Sequence, residues 1–114
     1  MTFVEKKCQP CEKGTAPMST EQAQLNVREI PGWALKDNSI ERDFKFKDFR
    51  AAMVFVNAAA RVANEEDHHP DIFISYNKVR ITLTTHAIGG LSINDFIVAA
   101  KVNRIAGEAQ TGEL

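Results

Sequence analysis

The chain has 114 residues, 44% of them apolar and 25% charged, a length and mix that suit one compact globular domain and leave little room for a second. Fourteen Lys and Arg stand against fifteen Asp and Glu, a near-neutral balance that argues against direct nucleic-acid or membrane-surface binding. No run approaches the ~18 apolar residues of a membrane span and the N-terminus lacks the apolar core of a signal peptide, so a cytoplasmic location is expected.

Residues 1–18 hold Pro10, Pro17 and Gly14 with little periodicity and read as an extended leader. Cys8 and Cys11, the only cysteines, form one C-x-x-C there. No second pair completes a tetrahedral zinc site. The motif reads as exposed thiols on a mobile tail, or as zinc ligands shared with histidines or between subunits.

The domain proper is expected over residues 19–107, with a frayed tail over 108–114. Ser19-Thr20-Glu21-Gln22 has the form of a capping box. It opens a helix containing Leu25, Val27 and Ile30, which Pro31-Gly32 stops. Trp33–Asp37 and Ile40–Phe46 read as strands joined by a turn. Asp48 caps a long helix whose apolar stripe runs through Phe49, Ala52, Met53, Val56 and Ala60.

That helix ends on Glu65-Glu66-Asp67, three carboxylates at its negative pole, an arrangement that lowers stability. His68-His69-Pro70 follows, and the proline forbids continuation. Local rules broken in this way are commoner at working sites. Ile72–Tyr76 and Val79–His86 read as a hairpin turning at Asn77-Lys78. In the second of these strands Val79, Ile81, Leu83 and Thr85 face one way, and Arg80, Thr82, Thr84 and His86 the other. Gly89-Gly90 precedes a last helix capped by Ser92, with Asp95 in the capping-box position and Leu91 and Phe96 as a hydrophobic staple. The α-β-β-α-β-β-α order predicts an α+β fold, an antiparallel sheet with helices on one face. A domain this short leaves apolar surface over, so self-association is expected.

The three histidines occupy a helix-to-strand junction and a strand end. Histidine titrates near neutral pH, so such a cluster can supply both proton donor and acceptor. The alternatives are ordinary helix-end or surface histidines, or a three-histidine zinc site, which the spacing does not demand. Asp95 reads as a cap or a catalytic carboxylate, and Trp33 and Tyr76 as core or as walls of a ring-binding pocket. Gly89-Gly90 reads as a turn or a weak phosphate signal. Thr84 and Thr85 read as strand formers or as hydrogen-bonding partners of a polar ring.

Glu66-Asp67-His68-His69-Pro70 is followed by an aromatic six residues after the proline, Tyr76, then by His86 ten later and Asp95 nine after that. In this pattern the sequence resembles the pterin-4a-carbinolamine dehydratase family. The resemblance extends from Ser19 to Arg104, including Gly32-Trp33, Phe46-Lys47-Asp48-Phe49 and Tyr76-Asn77-Lys78-Val79, and the leader with its cysteines looks like that of some bacterial members. It implies a four-stranded antiparallel sheet with helices on one face, assembled into homodimers or homotetramers. It also implies loss of water from a 4a-hydroxytetrahydropterin to give the quinonoid dihydropterin, without metal or redox cofactor. Phenylalanine hydroxylase is the implied metabolic neighbour.

By similarity His68 and His86 form the acid–base pair, and His69 mainly holds the pterin. Asp67, Thr84 and Thr85 match pocket-lining positions. Carboxylates beside His68 would favour its protonated form, suiting an acid role. One departure stands out: Asn64 occupies a position where the family usually has an ionisable residue, with Glu65 or Glu66 available to substitute. Some members act without chemistry, as a dimerisation cofactor of a transcription factor or as assembly proteins. The presence of all three histidines favours the enzyme.

Overall fold

The computed structural model describes residues 2–111, with side chains to residue 109. Three α-helices, α1 (Thr20–Val27), α2 (Phe49–Glu66) and α3 (Ile93–Thr111), accompany four strands, β1 (Ala34–Lys36), β2 (Ser39–Lys45), β3 (Asp71–Ser75) and β4 (Lys78–Leu83). The strands form one antiparallel sheet in the order β1-β2-β4-β3. This is the expected α+β fold. Pairing β4 with β2, Ile40 opposite Leu83 and Phe44 opposite Val79, places these two strands centrally and leaves β1 and β3 as edges.

Alternation along β4 buries Val79, Ile81 and Leu83, as expected, and they join Ile40 and Phe44 of β2 against the helices. Phe55 of α2 lies at the centre, fully buried, with its ring 4.7 Å from Phe44 and 5.0 Å from Phe46. The stripe on α2 is rotated from the expected one. Ala52, Phe55, Val56, Ala59 and Ala63 are buried, whereas Phe49 is 48% exposed. Both registers satisfy helical spacing, and the one that buries Phe55 brings three aromatic rings together.

Several boundaries differ from the expected ones. Ile30 is buried but lies past the end of α1, and Leu25 is exposed. Ser19 caps α1 by accepting from the Gln22 amide, while Gln22 donates to Asn26 instead of closing the box. The β3–β4 turn is Tyr76-Asn77, with Ser75 paired to Lys78. Tyr76 takes a positive φ of 55° there. β4 ends at Leu83; Thr85 forms a bridge to Gly90, and His86–Ile88 make a short 3-10 turn (η2).

The leader is not a mobile tail. Phe3–Glu5 form a 3-10 turn, Phe3 is buried beside Phe96, and Cys8 and Cys11 are partly buried. An aromatic residue finds more stabilisation in an apolar groove than in water, whatever its distance from the domain in sequence. Residues 108–111 continue α3, and 112–114 of the expected tail lie outside the described residues. Among the described residues no helix is long and apolar enough to cross a membrane.

Candidate functional site

The end of α2 builds one side of the site. Asp67 closes the helix in the left-handed conformation, φ 51° and ψ 42°. The His68 amide reaches back to the Ala63 carbonyl at 3.1 Å and the Asp67 amide to Asn64 at 3.3 Å, the bond pattern of a Schellman end. Asp tolerates this backbone better than most residues because its short side chain is compatible with left-handed geometry. Reversing the chain so sharply presents His68 and His69 beside the helix terminus.

The carboxylate problem at this terminus is solved from elsewhere. Glu66 is 7% exposed and accepts from Lys101 Nζ of α3 at 2.6 Å and from the Cys8 amide at 2.9 Å. Burial raises the Glu66 pKa, but the Lys101 hydrogen bond, the Cys8 amide and the charges of Lys101 and Lys7 outweigh it and hold the group below its usual range.

α3 builds the second side. Asp95 is fully buried and its carboxylate has three partners, one of them the Ser92 amide of the capping box. Its Oδ1 lies 2.6 Å from His68 Nε2, while Oδ2 accepts from Thr85 Oγ1 at 2.9 Å and from the Ser92 amide at 3.0 Å. Asp95 is therefore a cap of α3 that also touches His68. With the carboxylate as acceptor, His68 Nε2 carries a proton and Nδ1 is left as the ring's other proton site.

The third side is the end of β4. Thr84 Oγ1 donates to the Asn38 carbonyl at 2.6 Å, Thr85 Oγ1 is 2.8 Å from Ser92 Oγ, and the following turn holds His86 exposed. His69 is exposed, with Nε2 3.0 Å from Asn64 Oδ1.

These walls enclose an open pocket of about 560 Å³. The six residues that the resemblance assigned to the pocket, Asp67, His68, His69, Thr84, Thr85 and His86, line it. Trp33 and Tyr76 do not. Trp33 is core and donates to Asn103 Oδ1 at 2.8 Å, and Tyr76 is 65% exposed at its turn. Gly89-Gly90 is a turn, with Pro17 packed where a Gly90 side chain would stand. Among the described residues no group of three or more His, Cys, Asp and Glu side chains is disposed to hold a metal ion.

Sequence reasoning missed the wall made by Cys8, Gln9, Pro10 and Cys11, and Asn94 beside them. Phe3 was the available signal, an aromatic residue stranded in a polar leader.

The three histidines thus line one pocket, where a helix end, a strand end and a helix start meet. Residues 16–105 match the family model described as pterin 4 alpha carbinolamine dehydratase, and the chain belongs to that family. A Nitrosomonas eutropha protein provisionally named pterin-4-alpha-carbinolamine dehydratase is 51% identical over 104 residues, covering 90% of this chain and 92% of its own. A Brucella melitensis protein described as a transcriptional coactivator/pterin dehydratase superposes with a TM-score of 0.77 at 40% identity, over 80% of this chain and 99% of its own. A pterin dehydratase-like RuBisCO assembly factor of the alpha-carboxysome is similar at a TM-score of 0.56 and 25% identity, over 66% of this chain and 87% of its own.

Proposed function

We propose that the pocket binds a 4a-hydroxytetrahydropterin and dehydrates it to the quinonoid dihydropterin. The supporting observation is the convergence of His68, His69 and His86 on one pocket, with His68 fixed by the buried Asp95. In the reaction the C4a–O bond breaks as the hydroxyl takes up a proton and leaves as water. The adjacent ring nitrogen gives up its proton, and its electron pair forms the new C=N bond. One group must donate and one must accept, and His68 and His86 are assigned as this pair. Two positioned imidazoles are worth about 10²–10⁴-fold in such a reaction.

His69, steadied by Asn64, holds the pterin. Asp67, Thr84 and Thr85 are assigned to the polar edge of the ring, Asp67 as an acceptor and Thr84, its proton given to the Asn38 carbonyl, through its remaining lone pair. None of these assignments requires a metal or a redox cofactor. The product suits a reductase that restores the tetrahydropterin, and the substrate suits an aromatic amino-acid hydroxylase such as phenylalanine hydroxylase as its source.

The chain is further assigned to a homodimer or homotetramer in the cytoplasm. β3 is an edge strand whose Phe73 and Ile74, with the adjoining Tyr76, are exposed, and an uncovered edge of this kind invites pairing. A second reading, a non-catalytic dimerisation or assembly cofactor, is favoured by the same surface and by the coactivator and RuBisCO assembly roles stated for the two solved relatives.

Stopped-flow absorbance of 4a-hydroxytetrahydropterin decay separates these readings. Wild type should accelerate quinonoid formation and His86→Ala should lose most of that acceleration. Wild type no faster than buffer would leave the binding reading in its place.

A further inference from the structure

Residues 2–11 precede the family match, yet they are built into the pocket. Phe3 anchors the segment, 7% exposed with its ring 5.7 Å from Phe96. The Cys8 amide donates to Glu66 Oε1 at 2.9 Å, and Lys7 Nζ lies 3.6 Å from Oε2 of the same carboxylate. Gln9 pairs with the Asn94 side chain on both backbone groups, its N–H donating to Oδ1 at 3.0 Å and its carbonyl accepting from Nδ2 at 2.6 Å. Glu66 precedes Asp67 and His68, and Asn94 precedes Asp95. Both anchors therefore sit beside residues that shape the histidine site.

The two cysteines bracket Asn94. Cys8 Sγ lies 3.6 Å from the Asn94 carbonyl oxygen, and Asn94 Nδ2 donates to Cys11 Sγ at 3.4 Å. Residues 6–12 contain no turn or bend. Without a turn the Cα atoms of Cys8 and Cys11 stand farther apart than about 7 Å, the span within which four residues reverse direction. A disulfide requires roughly 4.4–6.8 Å. The docked segment thus accommodates the dithiol and not the bridge. Closing the bridge demands a turn at Gln9-Pro10, which takes Gln9 off Asn94 and Cys8 off Glu66.

We propose that Cys8 and Cys11 are a dithiol–disulfide pair, oxidised by a low-molecular-weight disulfide, whose closure releases this strap and removes one wall of the pocket. Cys11 attacks the small disulfide, expelling one thiol and leaving a mixed disulfide. Cys8 then attacks the Cys11 sulfur and expels the second thiol. The two protons and two electrons of the protein dithiol end on the two small thiols. While the strap is docked, burial and the Glu66 charge push the Cys8 thiol up to about 12, so the second step waits on undocking. Docking and the reduced state stabilise one another by linkage. A pterin filling the pocket against Pro10 and Cys11 would slow oxidation, a consequence that rests on the dehydratase reading.

The test equilibrates the full chain with glutathione and glutathione disulfide, then reads intact mass and hydrogen exchange of the Cys8 and Gln9 amides. Oxidation should remove two hydrogens from the mass of each chain and speed exchange at both amides by about tenfold or more. The Cys8→Ser/Cys11→Ser double variant should show neither change. An internal bridge with unchanged amide exchange would overturn the proposal, and so would a bridge between subunits or a mixed disulfide that never resolves. A dehydration assay on the reduced protein reads separately: its failure would count against the dehydratase reading and leave the exchange result standing.

Discussion

His68 and Asp95, 27 residues apart in sequence, meet at 2.6 Å between the end of one helix and the start of another. Asp95 is fully buried and its second oxygen is held by Thr85 and Ser92, so it cannot follow a moving imidazole. The ring is positioned by a fixed carboxylate, which leaves Nδ1 as its other proton site.

Asp95→Asn keeps the shape of this contact and changes its polarity. The new amide group faces either His68 Nε2 or the Thr85 and Ser92 donors, so at least one former partner is left unsatisfied. The expected outcome is a fall in kcat of up to about 10²-fold, with KM much less affected. A pH profile of kcat that changes shape would identify a positioning effect, whereas a uniform drop would indicate general damage.

Asn64→Ala removes the side chain that lies 3.0 Å from His69 Nε2. Since His69 is assigned to binding, KM should rise by about 5-fold, close to 1 kcal/mol, while kcat stays near wild type. A matching fall in kcat would move His69 into the proton-transfer pair. This measurement also shows what the departure from the family pattern at residue 64 does.

Lys101→Met leaves Glu66 buried without its main cation. Breaking a buried pair on one side costs about 3 kcal/mol, read as a lower urea midpoint at neutral pH. Glu66 is held below its ordinary value of 4.5 in the folded protein, so its contribution is full above that pH and is lost as pH falls through the folded value. The gap between wild type and variant should therefore narrow below about pH 4.5. A gap independent of pH would mean that lost packing, not charge, is responsible.

Gly32→Ala tests the corner before β1. Gly32 has φ +89°, and a Cβ there would stand 2.6 Å from Arg42 Nε. The substitution combines backbone strain with displacement of a guanidinium that bonds Asn103 and the Pro31 carbonyl. A loss of about 1–3 kcal/mol is expected by thermal or urea unfolding, with activity retained in the folded fraction.

By itself the sequence determined the kind and order of the elements, because those depend on local rules. The period-two alternation from Val79 to Thr85 and the caps at Ser19, Asp48 and Ser92 all operate within a few residues, and each stands where it was expected. The spacing of His68, His69, His86 and Asp95 was enough to point to a family. Helical periodicity alone could not tell which stripe of α2 would be buried, since more than one register satisfies it. Only the tertiary structure decided how Glu66 is tolerated at a helix C-terminus, because Lys101 comes from a different helix. It alone decided that Asp95 both caps α3 and holds His68, and that a polar leader carrying one phenylalanine becomes a pocket wall. These depend on contacts between residues remote in the chain, and no local pattern encodes a partner that only folding brings near.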